Sequence, residues 1–275
     1  MADHLAAREF LRLIEIMAAL RAPDGCPWDR EQTIDSLKPF VLEETYELLE
    51  AIDRHDHAAI REELGDYVFE AVFLAKLEAE AGHFTIADAL ARVADKLIRR
   101  HPHVFARATG EPPLATAGEV RTRWEEIKAT ESEARPETDG GRTSLLGGIP
   151  ETLPSLLRAF QIGTRAASVG FDWSEPRDVV DKIREEVDEL AELVGEDPAS
   201  DRTRAEEELG DALFAIANLA RKLGVEPETA LRKANEKFTR RFSAMEQAIR
   251  ASGRTMREMS IEELEREWRR IKQCE

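Results

Sequence analysis

The chain is written twice. "LEETYELLEAI" at 42–52 is echoed by "REEVDELAEL" at 184–193, and "REELGDYVFEAVFLA" at 61–75 by "EEELGDALFAIANLA" at 206–220. "DKLIRRHPHVF" at 95–105 has a counterpart in "EKFTRRFSAM" at 236–245, "RWEEIK" at 123–128 in "EWRRIK" at 267–272, and "GCPW" at 25–28 in "GFDW" at 170–173. Aligned positions lie 141 to 145 residues apart and keep their order. Helical surfaces repeat acidic residues loosely, but ordered matches at nearly one offset require two copies of one structural unit. The domains expected are 1–128 and 151–275. A linker over 129–150 joins them, where Gly, Pro, Ser and Thr accumulate and helical periodicity stops. A chain of 275 residues accommodates two such domains comfortably.

The periodicity inside each copy is helical. Leu64, Tyr67, Val68, Ala71, Val72 and Ala75 fall at helical spacing and read as a core stripe. Thr116 with Glu119, and Ser260 with Glu263, have capping-box spacing. Thr85 and Ser200 are candidate N-caps, Ser174 precedes Glu175 and Pro176 as a helix would begin, and Gly82, Gly170 and Gly224 are candidate stops. No alternating strand of useful length occurs. The fold class expected is all-α, two tandem bundles of about four or five helices each.

A formal charge of −17 argues against a nucleic-acid polymer or an anionic membrane as the partner. Such a chain meets anions through a bound cation or a local basic cluster. Cys26 and Cys274 are the only cysteines, too few for a disulfide framework, and no CxxC zinc pair exists. The amphipathic, charged N-terminal stretch does not read as a signal peptide, and no apolar run reaches a membrane span of roughly 18 residues. The expected compartment is the cytoplasm.

The chemistry lies in the carboxylates. Glu44 and Glu47 share a helix face, as do Glu63 and Asp66 on the next helix; the second copy repeats them as Glu186, Glu189, Glu208 and Asp211. If the two helices pack antiparallel, four carboxylates converge in each domain. They repel one another unless a cation sits among them, and an oxygen-only set suits Mg²⁺ or Mn²⁺. One quartet alone reads as a solvated acidic face. Its duplication on adjacent helices favours the metal reading. Lys96 with Arg100, and Lys237 with Arg241, are one turn apart and can hold an anion, although cations near a helix C-terminus also complement its dipole. Trp124 with Lys128, and Trp268 with Lys272, can meet a base and a phosphate, though Trp on an amphipathic helix is more often core. No GxxxxGK[ST] loop supports a P-loop enzyme.

These stretches, with "GCPWDREQT", "EELGD" in both copies, "VGFDW" and "KANEKFTRRF", resemble the MazG nucleoside triphosphate pyrophosphohydrolases in their two-domain form over nearly the full length. The resemblance implies an all-α fold, a homodimer, and Mg²⁺-dependent cleavage of nucleoside triphosphates to monophosphate and pyrophosphate. It implies metal ligation by Glu186, Glu189, Glu208 and Asp211, and nucleotide contacts from Lys237, Arg241, Trp268 and Lys272. The like positions in the first copy are Glu44, Glu47, Glu63, Asp66, Lys96, Arg100, Trp124 and Lys128. A neighbouring carboxylate, Glu185 or Glu207, is a candidate to orient or deprotonate the attacking water.

Two rival classes are weighed against this. A non-enzymatic acidic helical interaction module predicts exposed quartets without metal. A di-iron bundle wants ExxH on two helices, but the one match is Glu80 with His83 and the second copy lacks histidine. The copies themselves differ. Lys182 and Arg204 lie one turn before Glu186 and Glu208, where Phe40 and Ala59 stand in the first copy. They are either phosphate-binding groups or ordinary surface ion pairs, and the former reading assigns most turnover to residues 151–275.

Overall fold

The computed structural model describes residues 2–106, 144–193 and 202–274, with isolated positions 116, 118, 120, 123 and 127 between them. Every regular element among them is helical. The chain divides into two compact units, Met1–Glu133 and Ala134–Glu275. Trp124, Lys128, Glu119 and Ser200, singled out in the sequence, lie outside the described residues.

In the first unit α1 spans Ala2–Leu20, α2 Pro27–Glu31, α3 Ile34–Asp53, α4 His57–Glu80, α5 Ile86–Arg100 and α6 Pro102–Phe105. Thr33 and Thr85 close capping boxes with Ser36 and Asp88, and Asp56 caps α4 by accepting from the amides of Ala58 and Ala59. Gly82 ends α4 at φ 77°. The core joins Met17, Leu37, Val72, Phe73 and Leu77 from α1, α3 and α4. Beneath it, Arg21 pairs with Glu80 at 2.6 Å and donates to the carbonyl of Asp29, which ties the loop after α1 to the end of α4. Gly25 is dictated by this loop, since a Cβ there would sit 2.3 Å from the carbonyl oxygen of Leu20.

The stripe expected as core on α4 is only half right. Val72 and Ala75 are buried and Val68 partly so, but Leu64, Tyr67 and Ala71 are exposed. α1 packs on α4, and the core it forms there uses Val72, Phe73 and Leu77 from the later turns of α4. The earlier turns pair with α3, and their apolar stripe is uncovered by the described residues.

In the second unit α7 spans Ser155–Ala167, α8 Pro176–Leu193, α9 Arg202–Lys222, α10 Pro227–Ala251 and α11 Ile261–Gln273, with a 3₁₀ turn at Met256–Glu258. Ser260 and Glu263 form the capping box expected of them, and Gly170 and Gly224 take the left-handed conformation that ends α7 and α9. Residues 144–150, expected as the end of a linker, pack onto this unit: Ile149 is buried and Arg165 donates to the carbonyls of Leu145 and Gly147. α9 packs against both α7 and α8. A Cβ at Gly163 would lie 2.0 Å from Oδ1 of the buried Asn218, so the Asn218 side chain occupies the space that a side chain at Gly163 would need. Asn218 accepts from Arg221, and Arg221 and Lys222 both grip Asp172, at 2.5 and 2.7 Å.

Candidate functional site

α3 and α4 are joined by a three-residue turn and run antiparallel, so residues early on one helix face residues late on the other. Glu44 meets Asp66, and Glu47 lies against Glu63. One carboxylate oxygen each from Glu44, Glu63 and Asp66 falls within 4.8 Å of the others. An open hollow lined by Glu47, Glu50, Arg54, Ala59 and Glu63 adjoins them. In the second unit α8 and α9 bring together Glu186, Glu189 and Glu208 by the same measure. The structure thus gathers three of each expected four. Glu47 abuts its cluster through Glu63, whereas the exposed Asp211 does not join the second group.

The electrostatics are those of anions held together. Burial, then Asp66, Glu47 and Glu63, raise the pKa of Glu44. Burial followed by Glu47 raises Glu63, and Glu189 raises Glu208 through a shared hydrogen bond. Glu186 is only 3% exposed, which the solvated acidic face of an interaction module does not provide.

Lys182 and Arg204 do reach the second cluster. Lys182 Nζ sits 2.8 Å from Glu185 and 2.7 Å from the buried Glu186, and these carboxylates, Glu185 first, hold its ammonium more firmly protonated than usual. Arg204 Nε lies 3.8 Å from Glu208. Both are ion pairs as the plainer reading expected, but with candidate ligands rather than with bystanders. Of the two candidate bases, Glu185 is engaged by Lys182 and Glu207 is exposed. Lys237 and Arg241 lie on α10, the former exposed and the latter half-buried, and Trp268 and Lys272 on α11. Trp268 is half-buried against Phe238, ring centroids 5.2 Å apart. In the first unit Lys96 and Arg100 are half-buried on α5.

One carboxylate of the first unit escaped the sequence reading. Glu70, one turn after Asp66, is 8% exposed, and its Oε2 is fully buried with no hydrogen-bond partner among the described residues. Burial, Glu44 and Asp66 raise its pKa. The signal was there: a single acid inside "YVFEAVFLA", aligned with Ala215 in the second copy.

Two helix pairs, each gathering carboxylates from both its helices, define a tandem all-α protein whose donor sets suit hard divalent cations. The model of the MazG nucleotide pyrophosphohydrolase domain matches residues 32–105 and 175–244, which span both hairpins. The nucleoside triphosphate pyrophosphohydrolase of Escherichia coli K12 is 46% identical over 265 residues, 96% of this chain and 97% of that protein. The MazG nucleoside triphosphate pyrophosphohydrolase/pyrophosphatase of Thermotoga maritima is 45% identical over 263 residues, 96% of this chain and 95% of its own. The nucleoside triphosphate pyrophosphohydrolase of Mycolicibacterium smegmatis aligns over 162 residues at 34% identity, 58% of this chain and 47% of its own length. The chain belongs to the MazG nucleotide pyrophosphohydrolase family.

Proposed function

We propose that this protein hydrolyses nucleoside triphosphates to the monophosphate and pyrophosphate with Mg²⁺ or Mn²⁺, most of the turnover falling to the second unit. The observation that carries this reading is the carboxylate hairpin, present twice in a chain that aligns nearly end to end with relatives bearing that activity in their names. The donors fit a hard cation: all are carboxylate oxygens, they crowd within 4.8 Å, and the buried Oε2 of Glu70, near Glu44 and Asp66, has no hydrogen-bond partner among the described residues. Glu186, Glu189 and Glu208, with Asp211 nearby on α9, would hold the ion in the second unit; Glu44, Glu47, Glu63 and Asp66 are their counterparts. A cation held there supplies neutralisation of the phosphate oxygens and acidifies the attacking water.

The chain's own groups do the rest. Lys182 and Arg204, already drawn to Glu186 and Glu208, are close enough to exchange a carboxylate for an incoming phosphate oxygen. Lys237, Arg241 and Lys272 supply further phosphate charge, and Trp268 offers a base a stacking face. Glu185 or Glu207 orients the water and accepts its proton. Water oxygen bonds to the α-phosphorus, the α–β bridging bond breaks, and pyrophosphate leaves.

The exposed Leu42, Tyr46, Leu64 and Tyr67 on α3 and α4, and Val187, Leu209, Leu213 and Ile216 on α8 and α9, support a homodimer that covers these faces. No helix among the described residues is long and apolar enough to cross a membrane, which with the paucity of cysteine supports a cytoplasmic enzyme. Chromatography of the products decides the reaction: monophosphate and pyrophosphate are expected, with activity lost in EDTA. Diphosphate and orthophosphate would overturn the reading. Light scattering is expected to show a dimer rather than a 31.0 kDa monomer.

A further inference from the structure

Glu70 has no structural reason to be ionisable. Its side chain is more than nine-tenths buried on the same face of α4 as Asp66, and its Oε2 accepts no hydrogen bond among the described residues. The charges that bear on it are those of Glu44 and Asp66, both of its own sign. Leaving a buried carboxylate oxygen unsatisfied beside two more is strongly unfavourable, and an apolar side chain would pack there without that cost. The second unit does so, with Ala215 at the aligned place, itself buried. That unit also brings Lys182 and Arg204 onto its carboxylates, whereas Glu44, Glu47, Glu63, Asp66 and Glu70 make no ion pair with Lys or Arg among the described residues. One cluster carries part of its own neutralisation. The other adds a fifth anion and, among the described residues, has no ion pair; Arg54 beside it is taken by Glu50.

We propose that Glu70 is a further cation ligand peculiar to the first unit. Its carboxylate adds to the two that bear on it, Glu44 and Asp66, and the enlarged cluster holds a divalent cation more tightly than the second cluster and without nucleotide. The more numerous the anionic donors and the fewer the internal cations, the higher the affinity for a hard ion. The second unit gives up resting affinity because its lysine and arginine compete for the same oxygens. This rests on the reading of the first-unit carboxylates as a cation site.

The test is Mn²⁺ titration of the full, metal-free chain, followed by calorimetry and by the electron paramagnetic resonance signal of free Mn²⁺. Two classes of site are expected. Glu70→Gln, which keeps size and removes charge, should weaken the tighter class at least about tenfold and leave the weaker one alone. Glu189→Ala with Glu208→Ala should do the reverse. Should Glu70→Gln fail to fold, Glu70→Ala installs the residue the second unit uses there. Unchanged affinity in either folded variant, while Glu63→Ala with Asp66→Ala abolishes the tighter class, overturns the role of Glu70 alone. If that double change also leaves both classes intact, the first cluster is no cation site and the reading beneath the proposal falls with it.

Discussion

The two units solve the same packing problem with opposite chemistry. In the first, Phe73 of α4 is 1% exposed and fills the space against Met17 of α1. In the second, the residue aligned with Phe73 is Asn218, equally buried, and α7 makes room for it with Gly163. A greasy joint has become a close helix contact whose amide feeds a hydrogen-bonded chain through Arg221 to Asp172. The clusters diverge in the same manner. Among the described residues the first cluster's carboxylates make no ion pair, and nearby Arg54 pairs with Glu50 instead, while the second cluster is paired with Lys182 and Arg204. Duplication preserved the hairpin geometry while each copy changed its internal charge.

The largest effect that could break this comparison is on activity. Glu208→Ala with Asp211→Ala should lower triphosphate hydrolysis by at least about 100-fold. Glu63→Ala with Asp66→Ala should leave much of it, by steady-state assay of pyrophosphate release. If the first-unit variant is the inactive one, the division of labour runs the other way.

Next comes the joint between helices. Phe73→Ala should destabilise the first unit by about 3–5 kcal/mol, the range for emptying a buried aromatic site. Gly163→Ala should destabilise the second by about 1–3 kcal/mol, because the added methyl must displace Asn218. Hydrogen-exchange mass spectrometry reads the two units separately. Each change should raise exchange in its own unit. An unaffected Gly163→Ala would mean that α7 and α9 have room to spare.

Much of this was legible in the sequence, for physical reasons. Repeats, helical period and capping residues are local, so the two units, the N-cap at Thr85, the box at Ser260 and the stops at Gly82, Gly170 and Gly224 could be read from the residues alone. The hairpin carboxylates could be read because i, i+3 spacing fixes a shared face. Burial could not. Periodicity marks Leu64 and Tyr67 as apolar but does not say what covers them, and the apolar neighbours of Glu70 mark it as unusual without showing that its carboxylate is buried. The pairing of Lys182 and Arg204 with carboxylates of the cluster likewise needed the burial of Glu186 to acquire meaning.

The smallest effect concerns the ion pairs that fasten each unit's first loop to its hairpin. In the first unit Arg21 holds Glu80, and lowers its pKa. In the second, Arg221 foremost, with Lys222, holds the carboxyl of Asp172 down at about 2. A carboxylate whose folded pKa lies below its unfolded value of roughly 3.9 contributes stability at all pH values above the latter. That contribution fades as pH falls through the folded pKa, because the unfolded chain takes up the proton first. The window for Asp172 therefore runs from about pH 4 down to about pH 2. Its side chain is 22% exposed, so solvent screening keeps the contribution to no more than about 2 kcal/mol. Asp172→Asn should lower second-unit stability by up to that amount at pH 7, leave the first unit's exchange unchanged, and flatten the second unit's acid dependence below pH 4. Urea titrations at pH 7 and pH 3, read by exchange in each unit, give the two numbers. A variant that keeps the wild-type slope between those values would show that Arg221 and Lys222 stabilise the loop through the carbonyl of Trp173 and the amide of Asn218 instead of through the Asp172 charge.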